Sequence, residues 1–191
     1  MIWVLAAVAV VGVVLVALVA SYNRFVRQRT LIDNSWSDVD TELKRRYDLI
    51  PNLVETVKGY AAHEAGTLEA VTEARSRAMA DNGSPDQQAA SENQLVGTLK
   101  SLLAVSEAYP DLKASTAFLD LEHQLVGTED RIQAARRFYN NNVRDYNQRV
   151  QTVPSNLVAK VFGFQPRQYF EVDEAVVATA PTVDLDPNSP T

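Results

Sequence analysis

The first twenty residues, MIWVLAAVAVVGVVLVALVA, constrain the fold more than any other part of this chain. They contain neither charge nor proline, and at about 1.5 Å per residue a helix of this length crosses a hydrocarbon core about 30 Å thick. A cleaved signal peptide would need a basic leading region and usually has a shorter apolar run. The sequence therefore predicts a retained transmembrane anchor over residues 1–22.

The charges that flank this run predict how the chain crosses the membrane. Arg24, Arg27 and Arg29 follow the run directly, and no lysine or arginine precedes it. Basic residues are enriched in segments that stay in the cytoplasm. We therefore expect a single-pass protein of the cell membrane, with its N-terminus outside and the domain that follows in the cytoplasm.

The remaining sequence is long enough for one small domain but hardly for two. Acidic and basic residues are interspersed and the net charge is −6, so no broad cationic surface could follow a phosphate backbone. Nucleic acid is therefore not an expected partner. The sequence has no cysteine, which excludes disulfides, thiolate metal ligands and a cysteine nucleophile.

From Trp36 onward, apolar residues recur every seven positions, which is typical of a long helix in a bundle or coiled coil. The pattern predicts one helix of about 45 residues, ending near the Asn-, Gly-, Ser- and Pro-rich turn at residues 79–87. The recurring positions are Trp36, Leu43, Ile50, Val57, Val71 and Ala78, with Val39, Leu53, Tyr60 and Ala74 beside them.

Two further helical patterns follow. The first starts near Ala89 and stops before Pro110, and the second covers residues 111–153, where Gly127 and Thr128 leave open whether it forms one helix or two. The helix that starts near Ala89 is about half as long as the first helix and can cover only half of it. Residues 154–170 are rich in apolar and aromatic side chains and are expected to fold back on the other half, as a short helix and an extended piece.

These patterns predict an all-α fold, with an N-terminal transmembrane helix followed by a long antiparallel bundle of three to four helices. The bundle is expected to occupy residues 23–170. Residues 171–191 are acidic and contain proline, which predicts a flexible tail. Within this tail, residues 174–180 could form a short extended stretch.

Pro51 lies inside the first helical pattern, where it removes the hydrogen bond to the Tyr47 carbonyl. A helix that restarts with Asp48 as its N-cap would avoid this cost. However, the seven-residue spacing continues through Ile50 and Val57 without a change of phase. We therefore predict a nearly continuous helix that is kinked over Tyr47, Asp48 and Pro51.

The His63-Glu64 pair resembles part of a zinc-protease motif, in which a second histidine lies one turn further along the helix. That position is Thr67, and the other histidine of the chain, His123, belongs to a different helical pattern. Three or four ligands are needed for zinc, so no metal is expected. We expect Glu64 to pair with a cation of a facing helix and His63 to be solvated.

No nucleophile elbow and no glycine-rich phosphate loop occur in the sequence. We therefore predict no catalytic residue, no cofactor-binding residue and no cofactor. A dispersed pair of carboxylates would leave no local pattern, so an enzyme of that kind stays open as an alternative.

The stretch RRFYNNNVRDYNQRV places two Tyr-Asn pairs one heptad apart, although asparagine is a poor helix former. Either these side chains form a buried polar layer that sets helix register, or they form an exposed face for a partner. The nearby arginines allow the same two interpretations, salt bridges to neighbouring acids or a patch for an acidic partner. The candidate residues are Arg46, Asn52, Glu129, Arg136, Tyr139, Asn140, Tyr146 and Asn147.

Several blocks of the sequence carry a family resemblance: DLIPNL at residues 48–53, YPDL at 109–112, Glu129 with Arg131-Ile132, and the two Tyr-Asn pairs. Over about residues 1–171 the chain resembles the LemA family of bacterial membrane proteins. The resemblance implies a single-pass protein of the bacterial inner membrane with an all-helical cytoplasmic bundle. It implies no enzymatic activity, cofactor or catalytic residue.

We therefore expect a non-enzymatic, membrane-anchored scaffold or adaptor that binds other membrane or membrane-associated proteins. The alternative is a regulatory subunit or substrate adaptor of a membrane protease or sensor complex. Membrane lipid is the expected partner of the N-terminal helix. The sequence does not identify a protein partner and leaves self-association open.

Overall fold

The computed structural model describes residues 1–172, which form six helices and no strand. The predicted all-α fold is confirmed. The predicted flexible tail, apart from residues 171 and 172, and its extended stretch at 174–180 lie outside the described residues. The helices are α1 (Ile2–Tyr60), α2 (Ala65–Ala80), α3 (Pro85–Ala108), α4 (Pro110–Lys113), α5 (Thr116–Gln151) and α6 (Ser155–Phe162).

Helix α1 runs without interruption from the apolar N-terminus into the bundle. Residues 1–20 are all exposed, and among the described residues α1 is the one helix long and apolar enough to cross a membrane. From Phe25 onward, one side of the same helix is buried against the rest of the protein. The candidate membrane span and the central helix of the bundle are therefore a single element.

The prediction of one helix from Trp36 to about residue 80 is wrong, because α1 ends at Tyr60 and α2 begins at Ala65. Gly59 and Gly66 flank the break, and glycine lowers helix stability on both sides. Helix α2 folds back against α1. The seven-residue spacing survives the break because Val57 and Val71 face the same core from two helices, and both are fully buried.

Glu64 also differs from the expectation that it pairs with a cation. It is the N-cap residue of α2 and accepts a hydrogen bond of 3.2 Å from the Tyr109 hydroxyl. Tyr109 lies between α3 and α4, so this contact joins the α1–α2 turn to the α3–α4 junction. His63 is exposed, as expected.

Helices α3 and α5 each bury one face against the rest of the protein. Helix α3 begins with a capping box between Ser84 and Gln87. Helix α5 has 36 residues and passes through Gly127 and Thr128 without a break, which answers the question left open by the sequence. It runs antiparallel to α1, since Trp36 of α1 contacts Tyr139 at a ring-centroid distance of 5.1 Å while the later Arg46 reaches back to an earlier part of α5.

The bundle has two halves with different coverings. In the half far from the candidate span, α1 and α5 pack with α2 and α3. In the near half, α6 and the extended residues 163–172, hereafter the strap, cover α1 and α5. Phe164 of the strap stacks on Phe25 at 4.7 Å, and Phe170 meets Trp36 edge-on at 5.3 Å. Residues 154–170 thus fold back as a short helix and an extended piece.

Candidate functional site

Pro51 leaves the Tyr47 carbonyl of α1 without its usual helical donor. Arg75, on the facing helix α2, donates from Nε to this oxygen at 2.7 Å. A buried or half-buried carbonyl without a donor is costly, and the guanidinium supplies the missing bond. The proline position in α1 is thereby coupled to the packing of α2.

Arg46, the residue directly before Tyr47, is the centre of a buried ion cluster. The residue is only 1% exposed, and its guanidinium pairs with Glu92 of α3 and with Glu129 of α5 at 2.6 Å. The Tyr47 hydroxyl also donates to Glu92. Three helices are joined through one arginine.

Burial raises the pKa of Tyr47 from 10.0 to about 12, although the positive charge of Arg46 opposes the shift. The phenol is therefore neutral at physiological pH and keeps the proton that it donates to Glu92. The cluster then contains one arginine, two carboxylates and a neutral donor.

This arrangement is that of a structural ion cluster. Both Glu92 and Glu129 already accept bonds from Arg46, and Glu92 is only 2% exposed. A carboxylate that acts as a general base must reach a proton on a substrate, and the Glu92 carboxylate is closed off from solvent. Among residues 1–172, no group of three or more His, Cys, Asp or Glu side chains is placed to hold a metal.

A second polar cluster lies in the near half of the bundle, where asparagines of α5 hold the strap. The Asn140 amide donates to the Phe170 carbonyl at 3.0 Å and accepts from the Phe170 N–H at 2.9 Å. Asn147 makes the same pair of bonds with Arg167, both at 2.8 Å. Each side chain therefore pairs with the backbone as a neighbouring β-strand would. We call the bonds of Asn140 and Asn147 to the strap the asparagine clamp.

Tyr139 and Arg136 add further bonds from α5 to the strap. The Tyr139 hydroxyl donates to the Gln168 carbonyl at 2.9 Å, and the Arg136 guanidinium donates to the Val172 carbonyl. Burial raises the pKa of Tyr139 to about 12, with the charge of Arg167 opposing. The strap backbone is thus held at several points by side chains from one face of α5.

The structure divides the residues that the sequence grouped as one candidate layer or partner face. Arg46 and Glu129 belong to the ion cluster of the far half, and Asn52 is exposed outside both clusters. Tyr146 is buried against Phe25, with ring centroids 5.9 Å apart. The other four candidates, Arg136, Tyr139, Asn140 and Asn147, contact the strap. Their roles in register or partner binding stay predictions.

The sequence analysis did not single out Glu92, Arg75 or the backbone of the strap. Glu92 had a detectable signal, because it occupies the buried face of α3 that also carries Leu95 and Leu99. A charged residue at such a position usually has a buried partner. Arg75 and the strap had no such signal, since their partners are backbone atoms distant in sequence.

These features define a class of protein: an all-α bundle on a single candidate membrane span, whose polar clusters, in the described part of the chain, join its own helices and strap. The LemA family matches residues 35–185, which is most of the chain. The chain therefore belongs to the LemA family.

Several relatives are similar over most of this chain. The protein LemA of Metamycoplasma hominis is 27% identical over 178 residues, which cover 92% of this chain and 80% of the relative. Magnetosome protein MamQ 2 of Paramagnetospirillum magneticum is 26% identical over 179 residues, 81% of this chain and 66% of the relative. Magnetosome protein MamQ of Magnetospirillum gryphiswaldense is 25% identical over 178 residues, which cover 80% of this chain and 65% of the relative. The chain spans about two thirds of the length of these magnetosome proteins.

Proposed function

We propose that this protein is a membrane-anchored helical scaffold or adaptor that binds other membrane or membrane-associated proteins and catalyses no reaction itself. The continuity of α1 over Ile2–Tyr60 is the observation that supports this function best. A flexible linker would let a domain take many orientations relative to its anchor. A helix without a break holds the faces of the bundle at one angle to the span, as a docking platform requires.

The polar clusters support the same proposal. Arg46 bonds to both Glu92 and Glu129, and the asparagines of α5 bond to the strap. Within residues 1–172 these groups stabilise the packing of helices, and the names of the relatives are not those of enzymes. Partner binding through the outer faces of a rigid bundle needs no further chemistry.

Cross-linking in intact membranes tests this function. Photoreactive groups placed on exposed positions of the bundle, with the native N-terminal helix kept, should capture a specific protein partner in stoichiometric amounts. A matched variant carries a flexible Gly-Ser insertion between Ala20 and Ser21, which keeps both span and bundle but uncouples their orientation. We expect this insertion to weaken the cross-links.

The outcome separates the proposal from its alternatives. Capture of a protease or kinase as the stoichiometric partner would favour a regulatory subunit or substrate adaptor. Failure to capture any specific partner would contradict both. Unchanged cross-links after the insertion would show that partner binding does not need a rigid connection between the span and the bundle.

The orientation is part of the proposal. Arg24, Arg27 and Arg29 follow the apolar run, which supports a cytoplasmic bundle with the N-terminus outside. A reporter fused after residue 191 should then be active only if it functions in the cytoplasm. Activity of a reporter that works only outside the cytoplasm would contradict this orientation.

A further inference from the structure

The end of the bundle beside the candidate span carries large apolar side chains that the described part of the chain does not cover. Leu157 and Val161 of α6 are 61% and 77% exposed. Phe162 is about half exposed, and Val153 in the preceding turn is also exposed. A group of apolar side chains left in water marks a contact with a partner or a membrane.

These side chains lie on the outer face of α6. Leu157 and Val161 are four residues apart and therefore neighbours on one side of the helix. Val158 and Ala159, on the other side, are buried against the bundle. Helix α6 is thus apolar on its outer face as well as on its inner face, which is unusual for a surface helix.

The ring contacts of α6 place it at the end of the span. Tyr22 follows the apolar run almost directly, and its ring lies 4.9 Å from that of Phe162 at the C-terminal end of α6. Tyr22 also contacts Phe164 at 5.7 Å. Tyrosine side chains at the end of a span usually mark the membrane–water interface. Helix α6 therefore lies beside the first turn of α1 that leaves the hydrocarbon.

The charge of this end differs from that of the whole chain. Although the net charge of the protein is −6, residues 1–32 and 146–170 contain no aspartate or glutamate. Their basic residues are Arg24, Arg27, Arg29, Arg149, Lys160 and Arg167. Nε of Arg149 is buried and has no hydrogen-bond partner among the described residues. This local excess of cations matches the anionic headgroups of a bilayer surface.

We propose that α6 is a second membrane contact: it lies in the interfacial layer of the leaflet from which α1 emerges, with Leu157 and Val161 between the acyl chains. Lys160, which is exposed on α6, then faces anionic headgroups. Interfacial helices combine an inserted apolar face with flanking basic residues in this way. The inference rests on α1 as the membrane span and is independent of the protein-binding proposal and of the orientation.

The protein is well suited to a fluorescence test because its sequence contains no cysteine. The full chain is reconstituted in vesicles of equal parts phosphatidylcholine and phosphatidylglycerol, with single variants Leu157→Cys or Val161→Cys carrying an environment-sensitive fluorophore. Val126→Cys is the matched control, since Val126 is 52% exposed on the far half of α5. Circular dichroism checks that each labelled chain keeps its helix content.

We expect blue-shifted emission at positions 157 and 161, and loss of most of that emission when the lipids carry a quencher near the head of the acyl chain. Position 126 should show neither effect. Emission at 157 and 161 that resembles that at 126 would overturn the proposal.

Two further measurements separate the lipid surface from other coverings. If a second copy of the chain covered α6, dilution of the protein in lipid would abolish the blue shift, and the proposal would fail. If lipid covers it, dilution has no effect. The charge contribution is tested with Lys160→Glu, which should reduce quenching in the mixed vesicles but not in vesicles of phosphatidylcholine alone.

Discussion

At the scale of single residues, the contact between Arg75 and the Tyr47 carbonyl depends on Pro51. Proline both removes the N–H that would bond to this carbonyl and crowds it. The Arg75 guanidinium supplies a donor from another helix. An exposed arginine on the same helix, Arg77, instead pairs with Glu73 one turn away, so the two arginines allow a controlled comparison.

We predict that Arg75→Met lowers the free energy of unfolding by about 1–2 kcal/mol, because the Tyr47 carbonyl loses its donor. In a Pro51→Ala background the helix regains its own N–H donor, and the same substitution should cost less. Chemical denaturation of the four proteins forms a double-mutant cycle. Arg77→Met is the control, with an expected change below about 0.5 kcal/mol. Equal costs of Arg75→Met in both backgrounds would show that the contact with Tyr47 does not depend on Pro51.

The ion cluster predicts that removing one of its two buried charges costs more stability than removing both. Arg46→Met should destabilise the protein by about 3–5 kcal/mol, because it leaves the Glu92 carboxylate buried without its cation. The double variant Arg46→Met, Glu92→Met removes both buried charges and should recover much of the loss. Arg45→Met, which breaks only the exposed pair with Glu42, should cost less than about 1 kcal/mol. If the double variant is less stable than Arg46→Met alone, the cost does not come from an unpaired buried charge.

Two of the buried tyrosines, Tyr47 and Tyr139, predict a loss of stability at alkaline pH. Burial raises the pKa of Tyr47 and Tyr139 from 10.0 to about 12, so the folded state keeps protons that the unfolded state loses. The stabilisation is fully present below pH 10 and is lost as the pH rises towards 12. The slope is at most about 1.4 kcal/mol per pH unit for each tyrosine. Denaturation from neutral pH to about pH 12 should show a smaller slope for Tyr139→Phe than for the unsubstituted protein. Equal slopes would contradict the contribution of Tyr139.

At the scale of elements, the strap is an extended segment that pairs with side chains of a helix. Asn140 and Asn147 each bond to both the N–H and the carbonyl of one strap residue. An extended segment at the edge of a fold normally needs a neighbouring strand to satisfy its backbone. Here two asparagines one heptad apart do so for Arg167 and Phe170. Seven residues of helix rise about 10.5 Å, and three residues of an extended segment span about 10 Å, so the two separations match.

We predict that Asn147→Leu destabilises the protein by about 2 kcal/mol, because it leaves the backbone N–H and carbonyl of Arg167 without partners. A buried asparagine that only set helix register would behave differently, since replacement by leucine would keep or increase stability. Hydrogen exchange of the Arg167 amide should accelerate in the same variant. Asn141→Leu, at an exposed position of the same helix, is the matched control. A more stable Asn147→Leu protein would favour the register role.

The positions of most helices could be predicted from the spacing of apolar residues, since that spacing reflects which face is buried. The inner face of α3, with Leu95, Leu99 and Leu102, is an example. The same spacing gave no sign of the break after Tyr60, because the apolar residues of α2 face the same core and continue the seven-residue spacing of α1. The asparagine clamp was not predictable in detail, because its partners are backbone atoms and every residue offers the same ones.

At the scale of the whole molecule, the near half of the bundle depends on residues that follow α5. Helices α1 and α5 make an aromatic seam of Phe25, Trp36, Tyr139 and Tyr146, and the strap covers it with Phe164 and Phe170. The far half is covered instead by α2 and α3. The two halves share α1 and α5 but have separate outer layers.

We therefore predict that a chain ending at Val153 loses about 3–6 kcal/mol of stability in mild detergent, from the burial of two phenylalanines alone. A chain ending at Val172 keeps the whole strap and is the matched control. Phe170→Ala tests the same packing without a deletion and should cost about 3–5 kcal/mol. Equal stability of the two shortened chains would mean that the strap does not stabilise the bundle.

If the apolar N-terminal run is the membrane span that we propose, the unbroken α1 limits how far its own C-terminal end stands from the bilayer. From residue 23 to Tyr60, where α1 ends, a straight helix measures roughly 57 Å. The turn at residues 61–64 can therefore stand no more than about this height above the membrane surface, and it stands lower if the helix tilts. Each exposed position along α1 and α5 lies at a fixed height above the membrane surface, below that of the turn. A membrane protein that extends only a short way into solvent can meet the near half of the bundle, whereas the far turn is accessible only to taller or soluble partners.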